Sequence, residues 1–448
     1  MTSHPLLSIA VTVAIVYLLA AYALGGPIVL GQLLVQAVRR RRRRYRSMPD
    51  DVLASSRFTI PVSVVMPTLG ADVADAVHQL LLLNYPEFEV IIVNDGNRDS
   101  LDALRERFSL SACEVFYRRT LPTPPVRAIF RSTSDPRLLV IDCPGHTRGD
   151  ALNVGVNLAR YRYICCADKD ARYTPEALLV AMRAAMDDPA TVVGVTTSLA
   201  ALDGDPTSGL GGQSTAAALR TLSNLRGLLA RNNQRRLGLS LDVKPGFTLW
   251  RRDVVVDSGG FSTEVSPERL EMTVRAHRHM LRARVPYQIL HVTEPVGSPR
   301  QEPTLAQLIA ERQQRHQAMA RILWRYRGML FNPRYGRIGL VNLPQYLFAA
   351  VVVPWLELAC LVALPFAAVA GVVSPLNLFL VIAAVGFGNG VLLNTAMLLA
   401  PWPPDDRSQL RLLALGPFEV FVWRPVQLYS RLLGLVKLAT SARGDAAA

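Results

Sequence analysis

Cysteine is scarce in this chain and follows no metal-binding pattern. There are five cysteines and no Cys-x-x-Cys pair among them. Their spacing excludes a zinc finger and a dithiol redox centre of the Cys-x-x-Cys kind. Four fall in a segment that we assign below to the cytoplasm, where disulfides are rare, so we expect them to be small core residues. The five are Cys113, Cys143, Cys165, Cys166 and Cys360.

Charged side chains are absent from residues 5–38, which form an apolar stretch interrupted at Gly25-Gly26-Pro27. The stretch is long enough to cross a hydrocarbon core of about 30 Å. The opening MTSHP lacks the Lys or Arg of a cleaved signal peptide, whereas an arginine-rich run at 39–46 follows. This charge order predicts a retained membrane anchor, residues 1–46, whose basic end lies in the cytoplasm.

An arginine run can also bind nucleic acid. One that directly follows a membrane span more often meets anionic lipid headgroups. We therefore expect a membrane partner and no nucleic acid.

Two more charge-poor stretches lie at about 343–373 and 376–400, with Glu357 as their sole carboxylate. Buried core helices are the alternative, but three such stretches near the two ends of one chain favour a multi-pass membrane protein. We assign 343–448 to transmembrane helices and an amphipathic tail. Whether the tail at 410–439 forms an interfacial helix pair or a further span stays open. A transporter is disfavoured, because one intramembrane carboxylate offers little of an ion pathway.

Between these ends the chain alternates strand-like and helix-like patterns. Strands without a polar face, alternating with helices, predict an α/β domain with a mainly parallel sheet covered on both sides, over 47–300. The segment 301–342 then contains a long basic amphipathic helix, suited to lying at a membrane surface. The predicted strands are 60–67, 88–95, 137–143, 161–168 and 191–197, and the helices lie within 73–83, 149–160 and 175–186.

Acidic residues follow two of the predicted strands, where parallel sheets bind ligands. Asp168 and Asp170 form an Asp-x-Asp whose carboxylates can face one cation, and such oxygen ligands suit Mg²⁺ or Mn²⁺ bound to a diphosphate. Asp95 lies in an Asn-Asp-Gly turn, which is sufficient reason for its presence; alternatively it binds a nucleoside. Arg148 precedes a helix whose start either binds phosphate or is an ordinary capped terminus.

Four segments carry a family resemblance when taken together in this order. The chain resembles membrane-embedded family 2 glycosyltransferases of the GT-A fold, relatives of hyaluronan, cellulose and poly-N-acetylglucosamine synthases, over roughly residues 58–345. The segments are VSVVMPTL, LLLNYPEFEVIIVNDGNRDS, TRGDALNVGVNLARYRYICCADKDARYTPEAL and PGFTLWRRDVVVDSGGF.

The resemblance implies an inverting transferase that moves a sugar from a nucleotide donor, expected to be a UDP-sugar, to a lipid or polysaccharide acceptor. A partner subunit is a further possibility. Mg²⁺ or Mn²⁺ would bind Asp168 and Asp170. The donor would contact Asp95, Arg148, Asp150 and Asp168, with Arg148 standing where the family usually has Lys.

The acceptor half departs from the family pattern. The position of the usual catalytic Asp is Arg269, and a guanidinium cannot take a proton. Glu268 or Glu271 would have to serve as base in an altered geometry. On the acceptor side, Arg315 is kept, whereas Arg312 and His316 replace the usual Gln and Trp. Two hypotheses follow: a transferase with a changed acceptor site, or a catalytically impaired pseudo-transferase that binds nucleotide sugar or supports a partner enzyme.

Overall fold

The structure is a computed structural model with two compact units. The first unit contains the described residues up to 300, and the second contains those from 304 onward. The predicted anchor, residues 1–46, and most of the predicted span at 376–400 lie outside the described residues. The four-part domain division therefore stays a prediction. The structure describes residues 59–68, 73–144, 147–199, 246–300, 304–369 and 424–445, together with 371, 374, 376, 379, 380 and 388.

All five predicted strands are present in the first unit, and further short strands join them. Each predicted helix is also present, within a few residues of its expected bounds. The strands are β1 Val62–Thr68, β2 Phe88–Asn94, β3 Leu110–Ala112, β4 Ala128–Ser132, β5 Leu138–Asp142, β6 Tyr163–Cys166, β7 Ala171–Tyr173, β8 Val192–Ser198, β9 Thr248–Arg251, β10 Gln288–Pro295 and β11 Gly297–Pro299. The helices are α1 Ala74–Leu81, α2 Arg98–Phe108, α3 Arg148–Leu158, α4 Ala177–Met186, α5 Arg252–Asp257 and α6 Glu268–Ala283.

Within the described part of the first unit, nine strands form one sheet in the order β10-β8-β9-β6-β1-β2-β5-β4-β3. The neighbours β6, β1, β2 and β5 are parallel, as are β8 and β10. Strands β4 and β9 run antiparallel to both of their neighbours. The expectation of a mainly parallel sheet in an α/β domain is confirmed. A separate antiparallel pair joins β7 to β11.

Both faces of the sheet are covered, which explains why the central strands have no polar face. Successive side chains of a strand point to opposite faces. Val64 packs with α1 and α4 residues in one core cluster, whereas Val65 packs with α3 and α6 residues in another. Cys165 and Cys166 divide between these two clusters in the same way, and Cys143 is buried as well. The prediction that cysteines fill the core is confirmed at these three positions.

The strand order brings the predicted acidic residues to one edge. Strand β1 lies between β2 and β6, and all three run in the same direction. Asp95 follows β2 directly, and Asp168 lies two residues beyond the end of β6. Two strand spacings correspond to about 10 Å. Both acidic residues therefore lie at the carboxyl edge of the sheet, where sheets of this kind bind ligands.

The start of α3 packs closely against the loop before α6. A Cβ atom built on Gly149 would lie 2.0 Å from the backbone oxygen of Ser262. We expect Gly149→Ala to lower the free energy of unfolding by about 3 kcal/mol, because backbone must move to admit the methyl group. Denaturant unfolding followed by tryptophan fluorescence measures this loss. Gly328→Ala is the control, since nothing lies within 4 Å of its added Cβ; equal stability of the two variants would contradict the prediction.

The second unit is helical. Helix α7 spans Leu305–Arg325, which confirms the long helix predicted there. After short 3₁₀ turns at Arg327–Met329 and Pro333–Tyr335, a continuous helical segment runs from Ile338 to Val369. Within it, Ile338–Ala359 is long and apolar enough to cross a membrane, and among the described residues it is the one helix that meets both conditions.

The last described helix, α8, spans Arg424–Asp445 and packs against α7 and the apolar helix. Its Arg431 lies 3.7 Å from Glu357, the carboxylate of the predicted 343–373 span. The charge that interrupts this apolar stretch is therefore paired.

Candidate active site

The position of Asp168 is fixed by the strand before it and the ring beside it. Strand β6 is wholly buried. The amide N–H of Asp168 donates to the hydroxyl oxygen of Tyr173 over 2.8 Å, and the Tyr173 ring stacks on Phe247 with centroids 4.0 Å apart. These contacts hold the carboxylate in place while leaving 18% of its side chain exposed.

Four charged side chains meet at this point and are called here the Asp168 cluster: Arg148, Asp168, Glu268 and Arg269. Arg148 bridges two carboxylates, because its Nη2 donates to Asp168 Oδ1 and its Nε donates to Glu268 Oε1 over 2.8 Å. Arg269 Nη1 lies 2.8 Å from the other oxygen of Asp168. Both oxygens of Asp168 are thus held by guanidinium groups.

Two helix starts bring these residues together. Arg148 is the first residue of α3, and Glu268 and Arg269 are the first two of α6. Asn153 of α3 also fixes the loop before α6, since its amide exchanges hydrogen bonds with the backbone of Phe261 at 2.7 and 3.0 Å. The positive ends of two helix dipoles therefore lie close to Asp168, which favours negative charge there.

Burial and charge act against each other in the cluster. Burial alone would raise the pKa of Asp168, but the guanidinium groups of Arg148 and Arg269 outweigh it and lower the pKa below its usual value. Burial likewise disfavours the charged form of Arg148, but Asp168 and Glu268 raise its pKa. The opposite charges of Asp168 and its two arginines therefore stabilise each other against the cost of burial.

Arg269 is almost as enclosed as Glu268, with 6% of its side chain exposed. Besides Asp168, it donates to the backbone oxygens of Gly246 at 2.8 Å and Ala167 at 3.3 Å. Its Nε is buried and meets no hydrogen-bond acceptor within the part of the chain that the structure describes. A guanidinium held in this way is a donor and a cation, and it cannot act as a base.

The two glutamates considered as replacement bases are both engaged. Glu268 accepts from Arg148, and 4% of its side chain is exposed. Glu271 has no exposed side-chain area, and both of its oxygens lie 2.7 Å from Arg275 Nη2. Arg275 also donates to the backbone of Gly260, which makes Glu271 part of the packing between α6 and its preceding loop. This geometry disfavours Glu271 as a proton acceptor for a substrate.

Asp95 and Asp150 have local structural partners. Asp95 accepts from the N–H of Asn97 at 3.2 Å, which is the turn contact expected from Asn-Asp-Gly, and its side chain is partly exposed. Asp150 forms a capping box with Thr147 at the start of α3. The simpler explanation offered by the sequence, a capped helix start, is thus confirmed for this segment. Donor binding by either carboxylate stays a prediction.

Asp142 is a further acidic residue at this edge of the sheet, and its place there was not predicted from the sequence. It ends β5, next to the end of β2, and is buried. Its oxygens accept from the Asn94 amide at 3.2 Å and from Arg127 at 3.3 Å. The signal was present in the sequence, because the run LLVID ends in an acid as the runs before Asp95 and Asp168 do.

The oxygen ligands present fit a divalent ion that also binds phosphate. Asp170 is exposed, and its backbone oxygen accepts from the N–H of Arg300 at 2.8 Å. A carboxylate has roughly four lone-pair positions. On Asp168, two of them face arginines, which leaves positions for a cation. Among the described residues no group of three or more His, Cys, Asp or Glu could hold a metal. Mg²⁺ commonly binds through one or two carboxylates and completes its shell with water and phosphate.

The predicted acceptor-side residues Arg312, Arg315 and His316 all lie on α7 in the second unit. His316 Nδ1 lies 3.2 Å from the backbone oxygen of Arg312. Burial and the nearby Arg431 lower the pKa of His316 to about 3, so its imidazole is neutral at physiological pH. Their role toward an acceptor stays a prediction.

Comparison with known proteins finds a family match within the first unit. The model of "Glycosyl transferase family 2" matches residues 63–257, the segment that contains Asp95, Arg148 and the Asp168–Asp170 pair. These residues form a family 2 glycosyltransferase domain. The expected resemblance to family 2 glycosyltransferases is confirmed over these residues.

Individual relatives agree with this assignment. The chain is 23% identical over 207 residues to the poly-beta-1,6-N-acetyl-D-glucosamine synthase of Staphylococcus epidermidis. It is 24% identical over 208 residues to the synthase of the same name from Staphylococcus aureus strain COL. Each match covers 46% of this chain and 42% of the relative, so less than half the length of these relatives is matched.

A solved structure supports the fold of the glycosyltransferase domain. The mannosyltransferase PcManGT from Pyrobaculum calidifontis, solved in complex with GDP-Man and Mn²⁺, aligns with a TM-score of 0.54 at 16% identity. The alignment covers 92% of this chain and 98% of that one. At this identity the likeness concerns the fold alone, and it agrees with the GT-A fold expected of the family 2 domain.

Proposed function

We propose that this chain is an inverting membrane glycosyltransferase that moves a sugar from a nucleotide-sugar donor, a UDP-sugar, to a lipid or glycan acceptor. The observation that carries the proposal is the position of Asp168. It lies at the carboxyl edge of the sheet, held by two guanidinium groups and exposed on one side. The mannosyltransferase with a similar fold binds GDP-Man with Mn²⁺, which supports a nucleotide-sugar donor without choosing its base.

We assign the donor site to the edge between Asp95 and Asp168. Asp168 and Asp170 would hold Mg²⁺ or Mn²⁺, which supplies positive charge to neutralise the departing diphosphate. Arg148 has 29% of its side chain exposed and stands at the start of α3, where its guanidinium can also contact phosphate. Asp95 follows β2, two strands along the sheet from β6, and would accept from the nucleoside.

The membrane location rests on the second unit. Exposed large apolar side chains follow the helical segment from Ile338 onward, and such a surface is unusual for a protein surrounded by water. Lipid would cover it. The exposed residues are Leu340, Val341, Phe348, Trp355, Val362 and Phe366.

The alternative is a pseudo-transferase that binds the donor without transferring the sugar. In its favour, each residue considered as the catalytic base is either a cation or already paired with one. The resemblance places Arg269, a cation, where the family has its catalytic Asp. Glu268 and Glu271 are both paired with arginines. This proposal differs from the first in its product and in its partner, which would be an active enzyme.

A transfer assay separates the two. The full chain in detergent is incubated with Mn²⁺, labelled UDP- and GDP-sugars and a membrane extract as the source of acceptor. The first proposal predicts label in the lipid or polymer fraction, with none in the presence of EDTA. UDP binding without transfer by the wild type, together with transfer by Arg269→Asp, would establish the alternative. A correctly folded Arg269→Asp protein has to be verified, since the change removes one of the two cations on Asp168.

A further inference from the structure

The Asp168 cluster contains no side chain free to take a proton from an acceptor. Asp168 is held by two guanidinium groups, and Glu268 accepts from the Nε of Arg148. The position where the family usually has its base is a cation, Arg269. A sugar hydroxyl attacking the donor must lose a proton, and general base catalysis of that loss is worth roughly 10²- to 10⁴-fold.

An acceptor that is already ionised avoids this requirement. The attacking oxygen of a phosphate monoester carries no proton at neutral pH, so no base is needed. Cations near the attack point hold such an anion close to the donor diphosphate, and they make a nearby carboxylate a weaker base. Arginine is also the side chain best matched to phosphate, since its fork can form two parallel hydrogen bonds.

The two arginines of the Asp168 cluster have N–H groups that can donate hydrogen bonds to a bound phosphate. Arg148 is partly exposed, and the Nε of the enclosed Arg269 is without an acceptor among the described residues. Buried donors rarely stay unpaired in complete complexes. The starts of α3 and α6 add the positive ends of two helix dipoles.

We propose that the acceptor of this transferase is a phosphate monoester, so that its product is a glycosyl phosphodiester. The inference rests on the proposed transferase function and specifies the acceptor of the same site. A phosphate oxygen attacks the anomeric carbon, and a C–O bond forms as the bond from that carbon to the diphosphate breaks. The bonding electrons leave with the nucleoside diphosphate. The acceptor gains a sugar and loses one negative charge, the nucleotide gains one, and no proton is transferred.

The phosphate can be carried by a lipid or by a soluble molecule. The test offers the full chain in detergent four acceptors with the donor sugar that is active in the membrane-extract assay. These are a polyprenyl phosphate, the matching polyprenol, glycerol phosphate and a short oligosaccharide. We expect transfer to at least one of the two phosphates to exceed transfer to the polyprenol and the oligosaccharide by 100-fold or more. Preference for the polyprenyl phosphate indicates a lipid source, and preference for glycerol phosphate indicates a soluble one.

The chemistry of the product gives a readout independent of rate. A glycosyl phosphodiester releases its sugar in mild acid and shows a phosphodiester signal in phosphorus NMR, whereas a glycoside does neither. A product on the polyprenol or the oligosaccharide that is stable to mild acid, formed as fast as any phosphate product, would overturn the inference while leaving the transferase function intact. UDP binding without transfer to any acceptor would instead contradict the proposed function itself.

Arg269 variants test whether the cation acts on the acceptor. Arg269→Lys keeps the charge, and Arg269→Gln removes it with a similar length. We expect the KM for the phosphate acceptor to rise at least tenfold more in the Gln variant than in the Lys variant. If Arg269→Gln does not fold, the comparison of Arg148→Lys with Arg148→Gln takes its place. If the Lys and Gln variants of the tested arginine have equal KM values for the phosphate acceptor, that arginine does not bind the phosphate.

Discussion

Replacing Asp168 by asparagine is expected to lower the free energy of unfolding by about 3–5 kcal/mol, because the change leaves buried cations without their counter-charge. Arg269 depends on Asp168 more than Arg148 does. Arg148 keeps Glu268 at 2.8 Å, whereas Arg269 also donates to the backbone oxygens of Gly246 and Ala167, which carry no full charge. For a domain of this size each kcal/mol corresponds to about 2–4 °C in Tm. Thermal unfolding of the full chain in detergent, followed by near-UV circular dichroism, measures the shift.

Asp170→Asn is the matched control for Asp168→Asn. It removes the same charge two residues away, but from an exposed side chain. We expect a change of less than about 0.5 kcal/mol in stability together with weaker Mn²⁺-dependent UDP binding. A similar loss of stability in both variants would show that the Asp168 cluster does not hold this edge of the domain together.

Arg148→Lys is expected to lower kcat/KM for the donor by roughly 100-fold, equivalent to about 2.7 kcal/mol. The ammonium group keeps the charge, but one compact group cannot reach Asp168 and Glu268 with the two separate donors that Arg148 uses. Asp168 would then be less well oriented toward the donor. The measurement is initial-rate kinetics of the wild type and the variant at saturating acceptor.

Arg160→Lys controls for the loss of an arginine fork elsewhere in the domain. Arg160 also pairs with a buried glutamate, Glu89, at 3.0 Å, but it lies before β6, at the opposite end of that strand from Asp168. Its substitution should change kcat/KM by less than about twofold, since it touches no part of the site. Comparable losses in the two variants would mean that Arg148 acts through general stability.

The fold was largely predictable because its central strands are buried on both faces. Such strands are mostly apolar and have no polar face, and β1, β2, β5, β6 and β8 were all expected on that basis. Strand β9 was not expected, because its four residues follow no periodic pattern and it inserts between β6 and β8 from far along the chain.

The site was predictable only in part. Asp95 and Asp168 follow strands directly, so their place at the sheet edge could be inferred from local sequence. The partners of Asp168 could not, because Arg148 and Glu268 are 120 residues apart and no local pattern links them. By contrast, Glu271 and Arg275 stand four residues apart on a helix, a spacing at which opposite charges commonly pair. That spacing could have lowered the expectation that Glu271 is a base.

The central claim is that the carboxyl edge of this sheet binds a nucleoside diphosphate through a divalent ion. Calorimetric titration of the purified full chain with UDP, in Mn²⁺ and again in EDTA, tests it directly. The account predicts binding in Mn²⁺ that is lost both in EDTA and in a folded Asp168→Ala variant. Absence of binding by the wild type, or binding that neither change affects, would contradict it.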